Sequence, residues 1–394
     1  MGALRRRLLV LASTFPAKQG DGTPEFVADL AGEEAKDFET LVLVPSVPGA
    51  DAVSRWNGFT VRRFRYFPRR WEDLADGAII ENLRAKKSRL AQVVPFIVAE
   101  CLAALRAVRA GKPDVVHAHW IIPQGVAARL VAPKTPLLVS TLGGDLYALN
   151  AAPLRVLKRW VLRRAAYVTV MNEDMASRVI ELGADPERVE VVPMGADLST
   201  VRPRVERREG EPLRLLFVGR LVEKKGVGVL FDALKQLEPG TWQLTVVGDG
   251  PLRESLTASA PDGVEFVGQQ GREQLREAYS RADVAVFPSV PSTNGDQDGL
   301  PVALLEAMGS GCAIVASDLP GISEAIIDGE CGALCEPGNA QALATAIHTL
   351  ASDAQRQRAF GAAAAERAKE RYSKDAIGRR YREILSTISR PTEG

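Results

Sequence analysis

Short runs of consecutive apolar residues recur along the whole chain and alternate with stretches whose apolar positions return every three or four residues. The first kind is the pattern of strands buried on both faces of a parallel sheet, and the second is that of amphipathic helices. Their alternation predicts α/β doubly wound architecture. In the first half, strands are expected near Leu8–Ser13, Thr40–Pro45, Val61–Phe67, Asp114–His119, Leu137–Leu142, Val168–Asn172 and Val189–Pro193. A second series starts afresh with Leu215–Val218 and continues through Gln243–Val247, Val264–Val267, Val284–Pro288, Ala313–Ala316 and Gly332–Leu334. Between the series lie Met194-Gly195-Ala196-Asp197 and the charged, proline-marked stretch Arg202 to Pro212, which reads as a linker. The expected units are an N-terminal domain of residues 1–200, a C-terminal domain of residues 201–374 and a final helical stretch, 375–394.

A length of 394 residues agrees with that division, since it exceeds one ordinary core. The net charge of +1 argues against a general nucleic-acid binder. Cys101, Cys312, Cys331 and Cys335 sit inside apolar patterns without the paired spacing of a disulfide scaffold, so core thiols and a reduced, cytoplasmic setting are expected. No histidine lies near Cys331 and Cys335 in sequence, which disfavours a metal site there. Arg5-Arg6-Arg7 before Leu8-Leu9-Val10-Leu11 imitates a signal peptide, but the apolar run is too short and reads as the first buried strand. The longest apolar candidate for a bilayer span, Val93 to Leu105, is interrupted by Pro95 and Glu100 and falls below the ~18 residues needed, so no transmembrane helix is expected.

Candidate chemistry gathers at the turns of the second series. The run ending at Val218 passes into Gly219-Arg220-Leu221-Val222-Glu223-Lys224-Lys225-Gly226 and then a helical pattern, a strand, glycine turn and helix with Arg220 and Lys225 at the turn. Two cations there neutralise a diphosphate and stabilise charge growing on it; alone, the segment could equally be a solvated basic loop. Gly248-Asp249-Gly250-Pro251 is a second turn of this kind. The loop Asp296-Gln297-Asp298-Gly299-Leu300-Pro301 runs straight into a helix carrying Glu306, so the carboxylates of Asp298 and Glu306 bracket a glycine turn and a helix start. Carboxylates hold vicinal hydroxyls, and helix N-termini favour diphosphate oxygens. In the first series, Gly20-Asp21-Gly22-Thr23-Pro24 opens a helix, with Gly22 and Thr23 either approaching a ligand or forming a plain cap. His117 and His119 share one face of a strand; His119, nearer the carboxyl end, reads either as a ligand contact or as a satisfied core histidine.

With these turns in that order and spacing, the chain resembles the retaining glycosyltransferases of family 4, which have the GT-B fold. Their C-terminal domain carries G-R-x-x-x-x-K-G, G-x-G-P and E-x7-E, matched by Gly219 to Gly226, Gly248 to Pro251, and Asp298 with Glu306. The first acidic position departs from the pattern, being Asp298 in place of Glu, and Leu142 stands where an H-G-x-D turn has its histidine. The resemblance implies two Rossmann-like domains facing a central cleft, with the last helix crossing back to the N-terminal domain. It implies transfer of a hexosyl group from a nucleotide-diphosphate sugar (a UDP- or GDP-sugar) to an acceptor hydroxyl, with retention of configuration and without a metal or other cofactor. Arg220 and Lys225 would hold the diphosphate, Glu306 the ribose, and Asp298 with Gly299, Leu300 and Pro301 the sugar, while Gly219, Gly250, Gly268 and Gln270 would line the nucleotide and Gly22 and Thr23 would face the donor diphosphate and the acceptor. Closure of the domains about Arg202 to Pro212 is expected to accompany binding.

Rival readings stay open at this point. Asp296-Gln297-Asp298 spells D-x-D, a metal signature of another glycosyltransferase fold. An epimerase of the same architecture would need no acceptor, and a non-enzymatic binder would not turn donor over. Arginines and lysines interleave with aromatics between Arg62 and Arg89, and Pro153 to Arg164 forms a basic amphipathic helix. Such faces either rest on an anionic membrane, which would suit a lipid-linked acceptor, or are solvated surfaces. A carbohydrate or small-molecule acceptor is equally compatible.

Overall fold

The computed structural model describes residues 5–18, 25–77, 79, 82–83, 86–147, 151–199, 201–202, 204–208, 210–291 and 299–389. The chain forms two compact units, the first comprising Met1–Pro193 with Ile377–Gly394 and the second Met194–Ala376.

The first unit is built on a sheet of eight strands: β1 (Arg6–Leu11), β2 (Phe38–Pro45), β3 (Val53–Trp56), β4 (Phe59–Phe64), β5 (Val115–His119), β6 (Leu137–Ser140), β7 (Tyr167–Val170) and β8 (Val189–Val191). Their spatial order is β3-β4-β2-β1-β5-β6-β7-β8, parallel except for the hairpin pairing of β3 with β4. β3 lies outside the expected strands. Only Trp56 of its four residues is buried, so they carry no buried-strand pattern, but the two-residue Asn57-Gly58 turn, with both φ values positive, is a hairpin signal in the sequence. One face of this sheet is covered by Leu90–Gly111, Val126–Val131, Ala152–Leu162 and Glu173–Glu181, the other by Phe26–Glu34 and the last helix, Lys374–Ile388.

The second unit has six parallel strands, β9 (Leu213–Val218), β10 (Trp242–Val247), β11 (Val264–Gly268), β12 (Val284–Phe287), β13 (Ala313–Ser317) and β14 (Ala333–Cys335), in the order β11-β10-β9-β12-β13-β14. Val284, Val286, Ile314 and Val315 are wholly buried, because helices cover both faces. Cys312, Cys331 and Cys335 are buried free thiols within this unit, and Cys101 is a partly buried one in the first.

Three expectations are corrected. The first boundary falls at Pro193/Met194 rather than near residue 200, because the Ala196 N–H donates to the Tyr372 carbonyl and the Ala196 carbonyl accepts from Lys374, tying this segment to the second unit. Over its described residues, Arg202 to Pro212 is not a free linker. Arg214 grips the buried Asp283 carboxylate at 2.8 and 3.0 Å, Arg207 lies 3.4 Å from it, and Arg204 donates to the Ala282 carbonyl, so the stretch is clamped to the second unit's sheet. Finally, Pro95 does not interrupt its segment: Leu90–Gly111 is one helix of 22 residues, long and apolar enough to cross a bilayer by length and composition. Proline removes a single N–H, and Glu100 turns inward. The row Gln92, Phe96, Glu100 and Ala104 is buried against the unit, so the helix lies on the sheet.

Candidate active site

Ligands of open α/β sheets bind at the carboxyl ends of the strands where the strand order reverses. In the second unit that point lies between β9 and β12. The turn after β9 is Gly219 to Gly226, and backbone contact explains its glycines. Gly226 has φ +64°, and a Cβ there would overlap the Pro288 carbonyl that follows β12; one on Gly248, after β10, would overlap the carbonyl of Gly219; one on Gly250 would overlap that of Leu221. The main chain is laced across the same places: Gly219 donates to Val247, Leu221 to Asp249, Gly248 to Gly268, and Val290 to the Lys224 carbonyl at 2.9 Å. Sequence-distant glycine turns thus meet backbone to backbone as one rim.

Arg220 stands on this rim with an exposed side chain that has no ion-pair or hydrogen-bond partner among the described residues. The stem of Lys225 passes over Gly219, 3.6 Å from where a Cβ would sit, so both cations belong to one turn. On the far side, Gly321 after β13 has φ +86° and abuts Gly299 and Leu300, which lead into the helix Val302–Gly309. Pro301 is its N-cap residue, and its carbonyl accepts from Leu304 at 3.1 Å. The unsatisfied N–H groups of such a helix start favour an anionic oxygen.

Glu306 lies one turn into that helix, half-buried, and its Oε2 accepts the Tyr279 hydroxyl at 3.0 Å. Burial raises its carboxyl above the ordinary 4.5, opposed by the Tyr279 hydrogen bond and by the field of Arg272 and Arg276. Tyr279, Arg272 and Arg276 were not among the sequence candidates. They recur on one face of Arg272–Arg281 at spacings of four and three, a periodicity that points them at a common neighbour, though nothing in the sequence names Glu306 as that neighbour. Gly268, at φ +72°, ends β11, and the Gln270 amide turns back to donate to the Val267 carbonyl at 2.6 Å. Asp298 and the Asp296-Gln297-Asp298 triplet lie outside the described residues, as do Gly22 and Thr23.

In the first unit the order reverses between β1 and β5. His117 and His119 do share a face, with ring centroids 4.2 Å apart, but both side chains are wholly buried. His117 is a satisfied core histidine: its Nδ1 meets Glu34 at 2.7 Å and its Nε2 meets Ser140 at 2.8 Å. Burial drives this pair toward neutral forms, pushing the His117 pKa down to about 3 and that of Glu34 well above 4.5. His119 is the opposite case, buried and not satisfied: both ring nitrogens lack partners among the described residues, Phe26 and Trp120 flank the ring, and burial with the neighbouring His117 holds it neutral. Asp145 is a turn-former, accepting from the Thr141 hydroxyl at 2.6 Å and the Ile121 N–H at 2.5 Å, which pins the loops after β5 and β6 together. Beyond the ends of β1 and β2, Thr14, Phe15, Lys18, Val47, Gly49 and Asp76 line a pocket of ≈ 330 Å³.

Two Rossmann-like units, one with a glycine-built, cation-bearing rim at its topological switch point, define a doubly wound α/β protein. Comparison with known proteins narrows the class. Residues 21–195 match the glycosyl transferase 4-like domain and residues 212–353 match the glycosyl transferases group 1. The chain is 30% identical over 289 residues to the putative colanic acid biosynthesis glycosyltransferase WcaL of Salmonella typhimurium, covering 70% of this chain and 71% of that one. It is 26% identical over 404 residues, 96% of this chain and 98% of the other, to the GDP-mannose-dependent alpha-(1-6)-phosphatidylinositol monomannoside mannosyltransferase of Mycolicibacterium smegmatis. With the amylovoran biosynthesis glycosyltransferase AmsK of Erwinia amylovora the identity is 35%, over 44% of each chain. Among solved structures, sucrose-phosphate synthase from Thermosynechococcus elongatus superposes with a TM-score of 0.72 at 21% identity, over 97% of this chain and 100% of that one. Anabaena HepE in complex with UDP-glucose gives 0.69 at 18%, with the same coverage. The chain belongs to the group 1 glycosyl transferases of family 4 type.

Proposed function

We propose that the protein transfers a hexosyl group from a UDP- or GDP-sugar to an acceptor hydroxyl, with retention of configuration and without a metal or other cofactor. The observation that carries this reading is the exposed Arg220, without a side-chain partner among the described residues, on a rim of glycine turns at the switch point of the second unit. A fixed cation at a backbone-lined crevice stabilises charge that develops on a departing diphosphate. In this reading Arg220 and Lys225 hold the diphosphate, Glu306 holds the ribose with Tyr279 orienting its carboxylate, and the N–H groups of Gly299 and Leu300 approach the sugar with Asp298. The leaving phosphate takes the acceptor's proton, so no side-chain base is required, and buried His119 acts at most through the packing of the first unit. The acceptor is a cell-envelope glycan or its lipid-linked precursor, as the names of WcaL and the phosphatidylinositol monomannoside mannosyltransferase support. The pocket beside Thr14 and Asp76 is where we place it, and the active enzyme works on the cytoplasmic side of a membrane.

Thermal unfolding with UDP, GDP, ADP and their sugars, each with and without chelator, tests the donor site. A ligand at ~100 times its dissociation constant adds about 2.7 kcal/mol. The expected result is a shift with one nucleotide family that persists in chelator and is lost in Glu306→Gln. Because the Glu306 carboxyl is raised, its protonated form stabilises the fold fully below 4.5, and that stability is lost as pH rises through the raised value. A neutral glutamine removes the penalty at pH 7, so the variant should unfold no more readily than the parent and loss of the shift reports the site. No shift with any nucleotide overturns the proposal. Turnover of donor without acceptor to an isomeric sugar nucleotide would favour an epimerase instead.

A further inference from the structure

The helix Leu90–Gly111 turns one face inward, yet its outer face is also apolar: Leu90, Val94, Val98 and Leu102 follow at intervals of four and are 60, 68, 51 and 46% exposed. Spread over twelve residues, that row runs for about 18 Å. Helix Val126–Val131 packs beside it and exposes Leu130, and Ala152–Leu162 packs beside that and exposes Val156. All three bury their inner residues in the same core cluster, so their outer faces adjoin on one side of the first unit. A contiguous apolar surface of this size marks an interaction site.

Charge states what covers it. Across residues 86–112, 120–144 and 151–172 the only carboxylate is Glu100, and it is wholly buried, while Lys87, Arg106, Arg109, Arg155 and Arg159 are exposed. A chain of net charge +1 therefore presents three helices whose exposed charges are all positive, and the carboxylate beside the start of the long helix, Asp73, is paired with Arg89 at 3.0 Å. Near the start of the long helix, Trp71 is 53% exposed with the Arg70 guanidinium stacked 3.9 Å from its ring. A second copy of the chain fits this face poorly, since a two-fold interface would set these cations against each other. A bilayer span does not fit either, because the opposite side of the helix fills the core.

We infer that the three helices Leu90–Gly111, Val126–Val131 and Ala152–Leu162 form the surface by which the protein docks on an anionic lipid bilayer, the apolar row entering the interface and the basic residues meeting lipid phosphates. The inference deepens the reading of a membrane-borne acceptor and rests on that reading for its purpose, not for its test.

The full chain is sedimented, without nucleotide, with vesicles of equal parts phosphatidylglycerol and phosphatidylcholine and with vesicles of phosphatidylcholine alone. Binding is expected to the anionic vesicles and to be at least ~tenfold weaker to the neutral ones. Val94→Glu with Val98→Glu should weaken it about tenfold, and Arg155→Glu with Arg159→Glu should do the same while leaving the apolar row intact. All four positions are exposed, so unfolding temperatures should match the parent. Equal binding by parent and variants, or no binding to anionic vesicles, overturns the docking surface. So does a concentration-dependent dimer that the valine substitutions abolish, which would make the face a contact between copies. Since donor binding is measured separately, a chain that binds nucleotide but no vesicle refutes the surface alone.

Discussion

The two units solve the same problem, placing polar groups at the open end of a parallel sheet, in opposite ways. In the second, the rim is main chain: Gly226, Gly248 and Gly250 let turns from different strands touch, and the charged groups Arg220 and Lys225 belong to one of those turns. In the first, the polar groups near the switch point are side chains drawn from distant elements, Glu34, His117, Ser140, Thr169 and Tyr381, joined in a buried network. A site made of backbone leaves its record in local sequence, because close approach tolerates only glycine. A site made of side chains leaves none, because residues far apart in the chain carry no mutual spacing.

The sharpest way to break this contrast is at two glycines two residues apart. Gly226→Ala places a Cβ on the Pro288 carbonyl and keeps a positive φ, so strain and overpacking together should destabilise the second unit by about 3 kcal/mol in urea unfolding and abolish the nucleotide shift. Gly228→Ala, in the helix Val227–Leu234 with open space around its Cβ, should instead stabilise the same unit by roughly 0.5–1 kcal/mol. If Gly226→Ala were as harmless as Gly228→Ala, the rim would not be a backbone contact at all.

What the sequence made legible follows the same division. The strand and helix alternation, the family and the turns from Gly219 to Pro251 are local patterns, and the chain shows them directly. Tyr279 was missed as a partner of Glu306 because the two meet only once Arg272–Arg281 is laid beside Val302–Gly309. Arg202 to Pro212 looked like a linker because charge and proline signal solvent, whereas Asp283, some 70 residues further on, gathers its arginines into the fold. The outer row Leu90, Val94, Val98 and Leu102 hid for a different reason: a helix apolar on both faces looks like one that is buried all round.

A side-chain network also responds to pH in ways a backbone rim does not. Glu100, buried in the first unit against the Gln124 amide at 2.9 Å, has its pKa raised to about 8 by burial, against an ordinary 4.5. Its protonated form therefore stabilises the fold fully below 4.5, and the contribution is lost as pH climbs to about 8. Against Glu100→Gln, which stays neutral, the parent should lose about 2 kcal/mol of stability between pH 6 and pH 8, read from urea midpoints at each pH. The Glu306→Gln chain should keep this loss, since Glu100 belongs to the other unit. Parallel curves for parent and Glu100→Gln would show that the group is charged when buried.

The smallest effect lies where the last helix joins the first unit. The Tyr381 hydroxyl shares hydrogen bonds with the hydroxyls of Thr169 at 3.1 Å and Ser140 at 3.3 Å, and its ring stacks 5.5 Å from that of His117. Tyr381→Phe keeps the stack and removes the hydroxyl, while Ser140 and Thr169 still bond each other at 2.6 Å. Because neither is left wholly unsatisfied, the loss should be only about 1 kcal/mol, confined to the first unit, with donor binding unchanged. A loss several times larger would mean that the network holds the returning helix in place as a unit. No loss would assign that task to the ring and to the Arg382 grip on Glu33 at 2.8 Å, and the first unit would then depend on packing as completely as the second depends on its glycines.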